Sequence, residues 1–132
     1  MKKMLVMTVA ALCAAGFLAG TAAAVEDIAP LQAHRMIREN RDNPDFVILD
    51  VRTPEEFEEG RLEGAVNIDY YAEDFRDRID RLQREGTYLI YCRSGARSSS
   101  AYRMMEEMGF ERVYNLRGGI LEWNSRGLPL VR

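Results

Sequence analysis

Four short apolar runs constrain this chain more than any other feature: Phe46–Asp50 (FVILD), Ala65–Ile68 (AVNI), Thr87–Tyr91 (TYLIY) and Val113–Leu116 (VYNL). Each is rich in β-branched, aliphatic or aromatic residues and is bounded by Gly, Asp, Pro or Asn, as buried strands are. Helical patterns lie between them. Phe75, Ile79 and Leu82 recur at i, i+4 and i+7 within DFRDRIDRLQREG, with Gly86 close behind as a stop. Ala101, Met104, Met105 and Met108 recur at i, i+3, i+4 and i+7, and Gly109 follows as a C-terminal stop. An earlier helix is expected to begin near Pro30, a residue suited to a first turn. Strands alternating with helices at this spacing predict a parallel α/β sheet. Such sheets bind ligands outside the carboxyl ends of their strands. Cys92 directly follows one strand and Asp50 ends another, so both fall where this fold places chemistry.

The N-terminus is of a different kind. In MKKMLVMTVAALCAAGFLAGTAAAVED, a positive pair, Lys2 and Lys3, precedes an apolar stretch from Met4 to Leu18 and the small residues Ala22, Ala23 and Ala24. That order is the order of a secretory signal with an A-x-A cleavage site. A membrane anchor is the alternative, but it needs about 20 apolar residues, and this run is shorter and ends in small residues. Cys13 fits lipid attachment poorly, because Leu12 stands where sequences resembling lipoprotein signals carry a small residue. Cleavage is expected after Ala24, leaving a single exported domain of 108 residues (25–132), periplasmic in the simplest case and without a stable membrane anchor. Losing two lysines takes the formal net charge from −3 to −5, which disfavours nucleic acid or an anionic membrane as partner. A chain of that length buries one adequate core without staples.

Of the two cysteines, Cys13 leaves with the signal, so the exported domain cannot form an internal disulfide. In an oxidising compartment the remaining thiol is either buried and inert or accessible and reactive. Its surroundings favour chemistry. Cys92 is followed by Arg93, Ser94, Gly95, Ala96 and Arg97, with a helix expected to open near Ser98. Small residues and a glycine let the backbone curl so that successive N–H groups face one point. The first turn of the next helix adds free N–H groups and the positive end of its dipole. A sulfur at that centre is stabilised as the nucleophilic thiolate, and two arginines attract an anionic substrate. The alternative, a small core cysteine before a helix capped by Ser98, gives no reason for two arginines and a glycine in six residues.

CRSGAR resembles the active-site loop of rhodanese-type sulfurtransferases, a cysteine and an arginine separated by four residues. DVRTPEEFEEGRLEGAVNI (Asp50 to Ile68) resembles the family's first signature. GGILEWNSRGLP (Gly118 to Pro129) resembles its closing segment, with Trp123 and Gly127 in their places. The resemblance runs from about residue 28 to about residue 130. Arg61 departs from it, where the family often has histidine. It implies a small parallel-sheet α/β domain with helices on both faces, and a thiosulfate sulfurtransferase activity that needs no cofactor. Cys92 would take the outer sulfur of a small anionic donor such as thiosulfate and pass it, as a persulfide, to cyanide, a thiol or a protein cysteine. Arg93, Ser94, Gly95, Ala96, Arg97 and Ser98 would bind substrate. Arg97 would brace the loop and Arg93 would face the mouth. Asp50 and Arg52 would be structural neighbours, with Asp50 able to accept hydrogen bonds from the loop.

Two other classes compete. Tyrosine phosphatases use a similar cradle but place five residues between cysteine and arginine, and Tyr91 stands where they usually carry histidine. A cysteine-dependent phosphatase or arsenate reductase is the less favoured alternative, since phosphate ester cleavage also needs a general acid for the leaving alkoxide. A rhodanese-like sulfur carrier or partner-binding module with little turnover is the other alternative, although silent modules commonly lack the cysteine. His34, the sole histidine, has no second ligand to make a metal site. Met104, Met105 and Met108 suit a packed face, Trp123 a core anchor, and the acidic EEFEEG and MEEM solvated helix surface. Tyr70 and Tyr71 are candidates for the border of the mouth.

Overall fold

The computed structural model describes residues 23–132. The lysine pair and apolar run of the leader, and Cys13, lie outside the described residues. The four apolar runs become strands β2 (Phe46–Asp50), β3 (Val66–Asn67), β4 (Thr87–Tyr91) and β5 (Arg112–Leu116). A strand not anticipated from the sequence, β1 (Ala24–Ile28), precedes them. Its AVEDI exposes Glu26 and Asp27 at the sheet edge and so lacks a buried strand's apolar run. Ala24 donates its N–H to the Glu111 carbonyl at 2.8 Å, so the packed domain starts a few residues before residue 28.

All pairings between these five strands are parallel, and the sheet order is β1-β5-β4-β2-β3. The helices are α1 (Pro30–Glu39), α2 (Pro54–Glu59), α3 (Phe75–Asp80), α4 (Ala96–Glu107) and α5 (Gly119–Ser125). Helix α4 opens at Ala96, two residues before the expected Ser98, because Gly95 takes a left-handed φ of 108° and turns the chain at once. Helix α2 starts on a capping box: Thr53 Oγ1 accepts from Glu56 N, Glu56 accepts from Thr53 N, and Pro54 fills the first turn.

Strand β4 is central and buried on both faces, as a parallel strand between helical layers must be. Tyr88, Ile90 and Cys92 point into one core with Phe75 and Ile79 of α3, Ala101 and Met105 of α4, and Phe110. Leu89 and Tyr91 point into the other with Ala33 of α1 and with Ile120 and Trp123 of α5. Helices therefore cover both faces. Met104 and Met108 pack against the first core beside buried Met105, the packing face their spacing implied. Trp123 anchors the second, donating its indole N–H to the Pro129 carbonyl at 2.9 Å while His34 meets its ring edge-on. Among the described residues no helix is long and apolar enough to cross a membrane.

Candidate active site

The central strand delivers Cys92 to the carboxyl end of the sheet, and two helix N-termini shape the loop that begins there. Helix α4 has no side-chain cap. The sulfur takes that place. Gly95 N–H points at Sγ from 3.1 Å, Ser98 N–H from 3.4 Å and the Ser98 hydroxyl from 3.4 Å. From the other side, Ile120 N–H donates to the Cys92 carbonyl at 3.0 Å and Leu121 N–H to the Arg93 carbonyl at 3.2 Å. Helix α5 thus holds the loop's carbonyls away from the sulfur, which leaves its N–H groups to face inward. This approach requires Gly119, where a Cβ would lie 2.6 Å from the Cys92 carbonyl oxygen and closer still to that of Arg93. The paired glycines before α5 are therefore part of the site's construction, a role their place in a matching segment did not disclose.

Cys92 is only 1% exposed and Ser98 is fully buried, whereas Arg93, Ser94 and Ala96 are exposed and Gly95 and Arg97 are half-buried. The choice between a buried inert thiol and an exposed reactive one is too simple: the sulfur is recessed and yet surrounded by donors. Such a ring is what an anionic sulfur accepts.

Arg97 forms a fork with Glu56 of α2, Nη1 to Oε1 at 2.7 Å and Nη2 to Oε2 at 3.0 Å. Its guanidinium also lies 5.4 Å from the centre of the exposed Tyr71 ring, which places Tyr71 on the border of the site. The Arg97 guanidinium beside Glu56 holds that carboxyl down at about 2, assisted by Thr53. Within EEFEEG, Glu56 is not the solvated acid expected from the sequence; it is half-buried and ion-paired across 41 positions of chain. The signal that exposes it is the capping box, which fixes its side chain at the start of α2. The Arg93 side chain has no hydrogen-bonding or ionic partner among the described residues.

Asp50 does not accept bonds from the cysteine loop as expected. It is fully buried and takes the Arg52 guanidinium, Nη2 to Oδ2 at 2.7 Å and Nε to Oδ1 at 3.0 Å, plus the Arg52 N–H at 2.9 Å. Arg52 also donates to the Gly60 carbonyl at 2.6 Å, so this pair ties β2 to the end of α2. Arg61 lies over the Phe57 ring at 4.5 Å and its main chain pairs with Val131, outside the cradle. Among the described residues no three His, Cys, Asp or Glu side chains cluster as a metal site requires.

Comparison with known proteins gives a consistent result. A family model described as Rhodanese-like domain matches residues 33–126. A sulfurtransferase of Allochromatium vinosum is 38% identical over 90 residues, covering 68% of this chain and 82% of that protein. A tRNA uridine(34) hydroxylase of Yersinia pestis is 35% identical over 107 residues, covering 75% of this chain but only 29% of the hydroxylase. Among solved structures, a rhodanese-related protein from Thermoplasma volcanium superposes with a TM-score of 0.67 at 27% identity, covering 80% of this chain and 97% of that one.

Proposed function

The chain belongs to the rhodanese-like domain family, and on that premise we propose that it is a sulfurtransferase that works through a persulfide on Cys92. One observation carries this reading: the Cys92 sulfur sits at the start of α4 with two main-chain N–H groups and one hydroxyl aimed at it. With thiosulfate as donor, the thiolate attacks the outer sulfur, the S–S bond breaks and sulfite leaves with the bonding pair. Sulfite needs no proton to depart, so no general acid is required. The Cys92 persulfide anion then occupies the donor ring, which stabilises charge there throughout. In the second half-reaction cyanide, a thiol or a protein cysteine attacks the terminal sulfur and restores the thiolate. Gly95 and Ser98 hold the sulfur, Arg93 recruits the donor, and Arg97 braces the cradle. The leader-like N-terminus supports export, most simply to a periplasm, where a lone thiol cannot be trapped in an internal disulfide.

The recessed sulfur also suits a carrier that loads once and releases to one partner protein. A single experiment separates the possibilities. The purified domain is incubated with thiosulfate or an alkyl hydropersulfide and its intact mass is recorded, then cyanide is added. Gain of one sulfur atom, reversed by cyanide and absent in Cys92→Ser, is the expected result. Loading without turnover marks the carrier, and no adduct with either donor overturns the reading.

A further inference from the structure

We propose that Glu56 determines donor specificity: by cancelling the charge of Arg97 it makes the site one for hydropersulfide donors carrying little charge, rather than for the thiosulfate dianion. The proposal rests on the sulfur-transfer reading and deepens it.

The balance of charge at the mouth carries the inference. Two arginines follow the cysteine in sequence, but they are not equivalent in space. Arg97 is engaged at both ends of its guanidinium by one carboxylate, at 2.7 and 3.0 Å. Glu56 is itself fixed in place, because Thr53 N–H and the Thr53 hydroxyl donate to the same Oε1 at 3.3 and 3.2 Å. The pair is a rigid, formally neutral unit, with Tyr71 against its face. Arg93 is thus the loop arginine left without a carboxylate among the described residues. Asp50 likewise neutralises Arg52.

The donors differ in what they ask of this arrangement. When the Cys92 thiolate attacks thiosulfate, three negative charges meet: one on Cys92 and two on the donor. They leave as Cys92–S–S⁻ and SO₃²⁻, so the total of three is unchanged along the path. Within the loop, only the N–H ring and Arg93 are set against it, because Arg97 is paired. When the thiolate attacks the terminal sulfur of R–S–SH, the S–S bond breaks and R–S⁻ departs with the electron pair. The terminal sulfur keeps its proton as Cys92–S–SH. One negative charge is present throughout, and the N–H ring with Arg93 suffices for it. Like charges brought together in a recessed, partly dehydrated site repel far more than in water, so the second route is the one this mouth favours.

The test uses Glu56→Gln, because glutamine at the third helical position retains the capping box while removing the charge. Loading rates of Cys92 are measured with thiosulfate and with 2-hydroxyethyl hydropersulfide, whose R group is uncharged. Wild type is expected to load faster from the hydropersulfide. In Glu56→Gln the ratio of thiosulfate to hydropersulfide kcat/KM should rise by about tenfold, chiefly through a lower KM for thiosulfate, and the gain should shrink as salt is added. Glu107→Gln, which removes the same charge at the far end of α4, should leave the ratio unchanged. An equal fall with both donors would show that Glu56 only supports the fold, and an unmoved ratio would show that its charge is irrelevant; either overturns the proposal. Failure of wild type to load from any donor would instead overturn the sulfur-transfer reading itself.

Discussion

At the scale of single residues, the site depends on two glycines as much as on its cysteine. Gly95 turns the chain so that its own N–H reaches the sulfur, and Gly119 lets α5 reach the carbonyls of Cys92 and Arg93. In Gly119→Ala the new methyl would meet the Arg93 carbonyl carbon at 2.6 Å, on a backbone whose φ is already +59°. Backbone cannot yield as a flexible side chain can, so this variant should lose ~2 kcal/mol or more of stability. Its transfer rate should fall further than its stability does, because the loop that aims the N–H groups is displaced. Chemical denaturation and sulfur loading measured on the same preparation check both parts; full activity in a destabilised variant would show that α5 does not aim the loop. The loop itself was legible in sequence, since a cysteine, small residues, a glycine and arginines at short spacing leave few other structures to form. Gly119's contact was not, because it joins segments 26 positions apart and a close backbone approach leaves no periodic trace.

At the scale of elements, α2 and α4 are joined through one ion pair rather than through shared core. No α2 residue is fully buried, so the Arg97–Glu56 fork and the capping box do much to fix where that helix stands. The carboxyl's acidity in the fold, about 2, lies below the ordinary glutamate value of 4.5. A depressed carboxylate contributes stability that is complete above its unfolded value and disappears as pH falls through the folded one. The wild-type domain should therefore exceed Glu56→Gln in melting temperature near neutrality, and the difference should close between pH 4.5 and 2. Melting curves collected across that interval for both proteins provide the check; a constant offset would mean the pair adds no pH-dependent stability. The same two elements show where sequence patterns stop. The helical spacing of Ala101, Met104, Met105 and Met108 identified α4's buried face, because burial imposes a period. Glu56 carries no such period, and the acids around it do point to solvent.

For the molecule as a whole, the sheet order places the reactive sulfur at the carboxyl end of the central strand. Strand β4 pairs along its length with β2 on one side and with β5 on the other, and side chains from both of its faces are buried. Strand β3 contributes only the registers Leu49–Val66 and Asp50–Asn67, and β1 pairs with β5 alone. An amide exchanges with solvent through the least costly opening that frees it, and edge strands open without disturbing the core. Deuterium uptake should accordingly be slowest in Tyr88–Tyr91, near the limit set by global unfolding, and faster in β1 and in Val66–Asn67. The first turn of α4, which donates to the sulfur from inside the fold, should behave like β4 rather than like the exposed Arg93–Ser94 segment. This ordering matters for chemistry, because a ring of N–H groups stabilises a developing charge only while its geometry is already in place. Uptake in Ser98–Ala101 as rapid as in the edge strands would mean that the ring forms only transiently, and the preorganised cradle would have to be abandoned as the source of the cysteine's reactivity.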